Sequence, residues 1–77
     1  MSNSYTKQEQ KFLIEVGQKI RTARQQIELS QESFAKVCKL DRTYISDVER
    51  GERNISLLNL KKIALTLKVS ISDLIST

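Results

Sequence analysis

The stretch from Ser30 to Ser56, SQESFAKVCKLDRTYISDVERGERNIS, constrains the fold more than any other part of the chain. Ser30 is a helix N-cap type, and Gln31 and Glu32 follow in the first turn. A helix is expected from near Gln31 through FAKV, with Phe34, Ala35 and Val37 as its apolar face. A tight connection, CKLD, comes next. Asp41 is placed to cap a second helix from about Arg42 to Arg50, and Gly51 ends it. Two short helices joined by a turn of about three to four residues form a helix-turn-helix, whose second helix lies in the DNA major groove.

The second helix divides cleanly into faces, because an α-helix turns about 100° per residue. Tyr44, Val48, Ile45 and Glu49 fall on one side, mostly apolar and expected to pack inward. Arg42, Thr43, Ser46, Asp47 and Arg50 fall on the other. Arginine bonds guanine O6 and N7 bidentately, hydroxyls reach base edges or phosphates, and aspartate accepts from cytosine N4. RTYISDVER is thus a candidate DNA-reading helix. The plain alternative is a solvated face of a small bundle. Arg42, Arg50 and Arg53 are balanced by Asp47, Glu49 and Glu52, so the helix pattern alone leaves both readings open.

At 77 residues the chain is read as a single domain, 1–77, with the helix-turn-helix at 30–50. It has no Pro and only two Gly, so turn chemistry is scarce and an all-helical fold is expected. The net charge of +4 favours polyanionic partners, although the cations are spread along the chain. With one Cys and no His, structural zinc is excluded and no internal disulfide can form, which suits a reducing cytoplasm. Cys38 is expected to be a small core or boundary residue. No apolar run approaches the length of a signal or membrane segment. No nucleophile has a base nearby, so no enzyme, metal, cofactor or small-molecule ligand is expected.

The flanks follow the same logic. Residues 1–6 are polar and expected to fray. Thr6 and Glu9 make a capping box for a helix from Lys7 to about Ile27. Its buried stripe is expected at Phe12, Val16, Ile20, Ala23 and Ile27, with Gly17 permitting a close neighbour. Gln31, at the start of the first motif helix, stands where an amide meets a phosphate or merely solvent. Arg53 and Asn54, in the loop after Gly51, are candidate phosphate contacts, and Tyr44 and Arg50 are added to that set. Ser56 caps LLNLKKIALTL, with Leu57, Leu60, Ile63, Ala64 and Leu67 inward. Ser70 and Asp73 form a capping box for a short last helix. Its Ile71, Leu74 and Ile75 make an apolar patch that packs on the core or against a second copy.

Gln31, Ala35, Ile45, Ser46, Glu49 and Gly51, followed by SLLNLKKIALTLKVSISDLI, resemble the Cro/C1-type helix-turn-helix regulators, the five-helix, lambda-repressor-like DNA-binding domains. The match covers about residues 12 to 75. LDRTYISDVERGERN at 40–54 is especially similar to the controller proteins of restriction–modification systems. The resemblance implies base contacts at Arg42, Thr43 and Ser46, with Asp47 a further candidate. It also implies a phosphate contact at Gln31 and a structural ion pair between Arg24 and Glu49. Lys39 and Glu28 stand where the family often has Gly, which implies non-Gly residues at unusual backbone angles or altered turns. Ile55 stands where many members have Pro.

The resemblance further implies a cytoplasmic protein, bacterial or phage-encoded, that binds a twofold-symmetric operator in double-stranded DNA as a homodimer. Ile71, Leu74 and Ile75 are its expected interface. Control of a restriction–modification operon, its own gene included, is the leading expectation. A phage-type repressor or antitoxin-like regulator is the alternative within the class, less favoured because no second domain is visible. A helical protein-interaction module is the alternative from a different class.

Overall fold

A computed structural model describes residues 4–76 as five helices, with no strand among the described residues. They are α1 (Lys7–Gln26), α2 (Gln31–Cys38), α3 (Arg42–Glu49), α4 (Leu57–Leu67) and α5 (Ile71–Ile75). Most begin where a short polar side chain satisfies the free N–H groups of the first turn. Ser30 and Ser56 accept from the backbone N–H groups of Ser33 and Asn59, each at 3.1 Å. Thr6 with Glu9, and Ser70 with Asp73, close full capping boxes. Asp41 is an exception. It holds the N-cap position of α3, but its side chain makes no cap hydrogen bond. The fraying expected over residues 1–6 falls, for residues 1–3, outside the described residues.

The helix ends share one device. After α1, α2, α3 and α4, one residue enters the left-handed region: Glu28 (φ 61°), Lys39 (φ 61°), Gly51 (φ 76°) and Lys68 (φ 60°). Each turn carries the paired backbone bonds of a Schellman motif. At α3 these run from the Gly51 N–H to the Val48 carbonyl (3.0 Å) and from the Glu52 N–H to the Asp47 carbonyl (2.9 Å). The angles expected at Glu28 and Lys39 are therefore present, and Lys68 repeats them. The residues that follow, Leu29, Leu40 and Val69, pack back onto the core, as the motif's apolar contact requires.

The core joins all five helices: Val16 and Ile20; Phe34, Ala35 and Cys38; Ile45 and Val48; Leu60, Ile63, Ala64 and Leu67; and Leu74. α3 packs on α1 and α2, while α4 and α5 close the other side. Four expected core positions are corrected. Phe12, Ile27, Val37 and Leu57 are exposed. Phe12 precedes the part of α1 that α3 covers and borders an open groove with Tyr5, Leu13 and Asn54. Ile27 lies just past the end of α1. On α2 the inward place belongs to Cys38, whose thiol sits 3.4 Å from the Thr66 hydroxyl of α4. Burial pushes that thiol up from its ordinary value, against smaller opposing effects of the Thr66 hydrogen bond and Lys62. Leu57 occupies the first position of α4, facing solvent.

Two glycines are required by contact. A Cβ on Gly17 would overlap the Val48 carbonyl oxygen and lie 2.7 Å from the Glu49 carbonyl oxygen. One on Gly51 would lie 2.6 Å from the Ile14 Cα. Both glycines let α1 lie directly against the C-terminal end of α3. Gly17→Ala is therefore expected to lower stability by about 1–3 kcal/mol through overpacking against backbone. Lys39→Gly should act oppositely. Release of left-handed strain outweighs the entropy of a freer unfolded chain, for a gain of up to about 1 kcal/mol. Urea unfolding at constant slope measures both, and equal midpoints for the two variants would contradict this account.

Candidate nucleic-acid interface

The inner side of α3 carries a charge. Glu49 is 6% exposed and faces Arg24, which is 8% exposed. The Arg24 Nε donates to Glu49 Oε2 at 2.7 Å and its Nη2 to Oε1 at 3.0 Å, a bidentate pair. The remaining guanidinium edge donates to the Leu29 carbonyl at 2.8 Å, across the α1–α2 turn. The Gln31 amide adds a bond to Glu49 Oε1 at 3.0 Å. One carboxylate thus receives donors from α1 and from the start of α2, while its own backbone belongs to α3. Among the described residues no buried side-chain polar atom lacks a partner.

The outer side of α3 is open. Arg42 and Thr43 are exposed at its first turn, and Ser46 and Asp47 are half-buried one turn later. The C-terminal part is internally bonded. Asp47 Oδ1 accepts from Arg50 at 2.6 Å, and Asp47 Oδ2 accepts from Arg53 at 3.4 Å. Arg50 also donates to the Ser46 hydroxyl and, at 3.3 Å, to Glu52. The Arg53 guanidinium lies 4.8 Å from the centre of the Tyr44 ring, within cation–π range. Asn54 is exposed beside Arg53 in the loop.

The expected DNA contacts therefore lie along α3 and the loop after it, with Gln31 at the adjoining end of α2. The expected apolar patch of α5 does not hold together. Leu74 is 2% exposed and belongs to the core, Ile71 is half-buried against it, and only Ile75 is exposed. Leu74 is withdrawn as an interface residue, because α5 turns it inward between α1 and α4. Exposed apolar surface lies instead on α4, where Leu57, Leu58 and Leu65 are 78%, 75% and 68% exposed. Sequence reading missed the Gln31–Glu49 bond, which spans eighteen residues with no local signal. It also missed the Asp47–Arg50 pair, for which the three-residue helical spacing was a usable sign.

Fold and face together define a DNA-binding helix-turn-helix domain. A helix-turn-helix family model matches residues 20–74. The control protein C.MunI from a Mycoplasma species is 48% identical over 64 residues, covering 82% of this chain and 86% of that protein. The control protein C.BamHI from Bacillus amyloliquefaciens is 52% identical over 60 residues, covering 77% and 74%. The crystal structure of the restriction-modification controller protein C.AhdI from Aeromonas hydrophila superposes with a TM-score of 0.78 at 44% identity, covering 80% of this chain and 94% of that one. The chain belongs to the Cro/C1-type helix-turn-helix regulators and, within them, to the controller proteins of restriction–modification systems. These are DNA-binding transcription regulators, not enzymes.

Because the Arg24–Glu49 pair is buried, removing one partner strands the other. Arg24→Ala is expected to cost about 3–5 kcal/mol, while the double variant Arg24→Met with Glu49→Leu should recover much of that loss. Urea unfolding of the single and double variants tests this. A loss below about 1 kcal/mol for Arg24→Ala would place the pair among surface ion pairs.

Proposed function

We infer that this protein binds a twofold-symmetric operator as a homodimer and thereby regulates a restriction–modification operon, its own gene included. The observation that carries this reading is the open face of α3, set over the buried Arg24–Glu49–Gln31 cluster, in a chain similar along most of its length to control proteins. Arg42, Thr43, Ser46 and Asp47 read base edges in the major groove. Gln31, Tyr44, Arg50, Arg53 and Asn54 position the helix on the phosphate backbone. The protein works in the cytoplasm, where the DNA is.

Dimerisation follows from what one helix lacks. A single recognition helix makes few contacts, whereas a twofold dimer places two of them about 34 Å apart on one DNA face. Leu58 and Leu65 lie two turns apart on the outer side of α4, and Ile75 is exposed on α5, which packs against α4. These three residues, with Ile71 beside them, form the dimer surface.

Titration against a duplex from the protein's own upstream region, with random DNA as competitor, tests the reading. Operator binding with symmetric protection is expected. Arg42→Ala should lose about 1–3 kcal/mol per half-site and relax base preference, whereas Arg53→Ala should weaken operator binding and flatten its salt slope without changing the base preferred at the position Arg42 reads. Equal losses on operator and random DNA for Arg42→Ala would remove it as a base reader. Sedimentation at micromolar concentration is expected to show a dimer. Leu65→Lys should weaken that dimer by about 2 kcal/mol or more, as loss of a central apolar anchor does. A wild-type monomer under those conditions would overturn the homodimer.

A further inference from the structure

We propose that Asp47 sets the selectivity of this domain, by holding the guanidiniums of Arg50 and Arg53 off the DNA backbone until a base takes their place. The proposal rests on the DNA-reading role given above to α3.

Each oxygen of the Asp47 carboxylate holds one arginine, Oδ1 taking Arg50 at 2.6 Å and Oδ2 taking Arg53 at 3.4 Å. Arg50 is held further by Ser46 and Glu52, and Arg53 by the face of the Tyr44 ring. Two guanidiniums and two carboxylates sum to no net charge. Along α3 and its following loop, Arg42 is then the cation that makes no ion pair among the described residues. The carboxylate is the less exposed partner: its side chain is 23% exposed, against 53% for Arg50 and 48% for Arg53.

Competition with DNA follows from this arrangement. A phosphate that draws either arginine away leaves a half-buried carboxylate short of donors and beside a polyanion. That penalty applies on any sequence. It is relieved only where the base pair opposite Asp47 offers an exocyclic amino group in the major groove, cytosine N4 being the matching donor for a carboxylate. The amino group replaces the arginines at Asp47, and the arginines move to the backbone. Phosphate contacts carry no sequence information by themselves. Coupled through Asp47 they acquire it, because the arginines engage fully only on a site with that base.

The test is titration of Asp47→Asn against operator and random duplexes over a range of salt. The variant is expected to bind random DNA about three- to tenfold more tightly, with a log–log salt slope steeper by about one to two phosphates. Operator affinity should change less, so the specificity ratio falls, and the preference for cytosine at one position per half-site is lost. The gain on random DNA should vanish in an Arg50→Ala, Arg53→Ala background. Unchanged random-DNA affinity and slope, or a gain that persists without both arginines, would overturn the proposal while wild-type operator binding leaves the DNA-reading role intact. A wild type that does not distinguish operator from random DNA and shows no salt dependence would remove that role, and the proposal with it. If Asp47→Asn does not fold, Glu52→Gln in the exposed loop carries the test. It loosens Arg50 alone, which Asp47 and Ser46 still hold, and should give a smaller gain on random DNA, abolished by Arg50→Ala. No gain there would count against the clasp.

Discussion

The orientation of the reading helix depends on one buried carboxylate. Glu49 sits within the C-terminal turn of α3 and takes both donors of the Arg24 fork and the Gln31 amide. A carboxylate in so little water is tolerable only with its donors in place, so α1, α2 and α3 must arrive together. The same turn of α3 is pressed against α1 at Gly17 and Gly51, where side chains would collide with backbone. Charge and close packing thus act at one point, and a small rotation of α3 would disturb both. Rigid presentation of base-reading groups is what a recognition helix needs.

The outer face follows a different rule. Its Arg50 and Arg53 are neither buried nor free, but tied to neighbouring carboxylates through bonds that water and phosphate can both replace. A controller of this size has few contacts with which to distinguish its site from the rest of the genome. A net charge of +4 spread over the chain keeps the general attraction to a polyanion moderate, so that on the reading proposed above discrimination falls to the groups on α3. The inner pair is structural and the outer cluster exchangeable, although both consist of arginine and carboxylate. Burial separates the two roles.

Local chemistry made much of this readable in advance. The hydroxyl caps at Thr6, Ser30, Ser56 and Ser70 act on backbone groups within three residues, and so does the left-handed exit at Gly51. Helical spacing likewise separated Ile45 and Val48 from Ser46 and Asp47. The stripe of α4 from Leu60 to Leu67 is buried as its spacing implies, but its extension back to Leu57 is not. Periodicity states which direction a residue points, and not how far the neighbouring element reaches. Phe12 and Leu57 point along plausible stripes and run past the edge of what covers them.

Chain order and residue type were therefore enough for the five helices, their starts and the polar face of α3, because each depends on interactions a few residues long. Contacts between distant segments were settled only by the assembled fold. Val37 and Cys38 were both near the inward side of α2, and the position of α4 chose Cys38. Ile71, Leu74 and Ile75 formed one apolar patch on paper, yet the seat of α5 between α1 and α4 buried Leu74 and left Ile75 outside. The Gln31 amide had only a phosphate or solvent as candidate partners on paper, and the fold added Glu49 from eighteen residues away. Such choices turn on distances between surfaces, which no local spacing encodes.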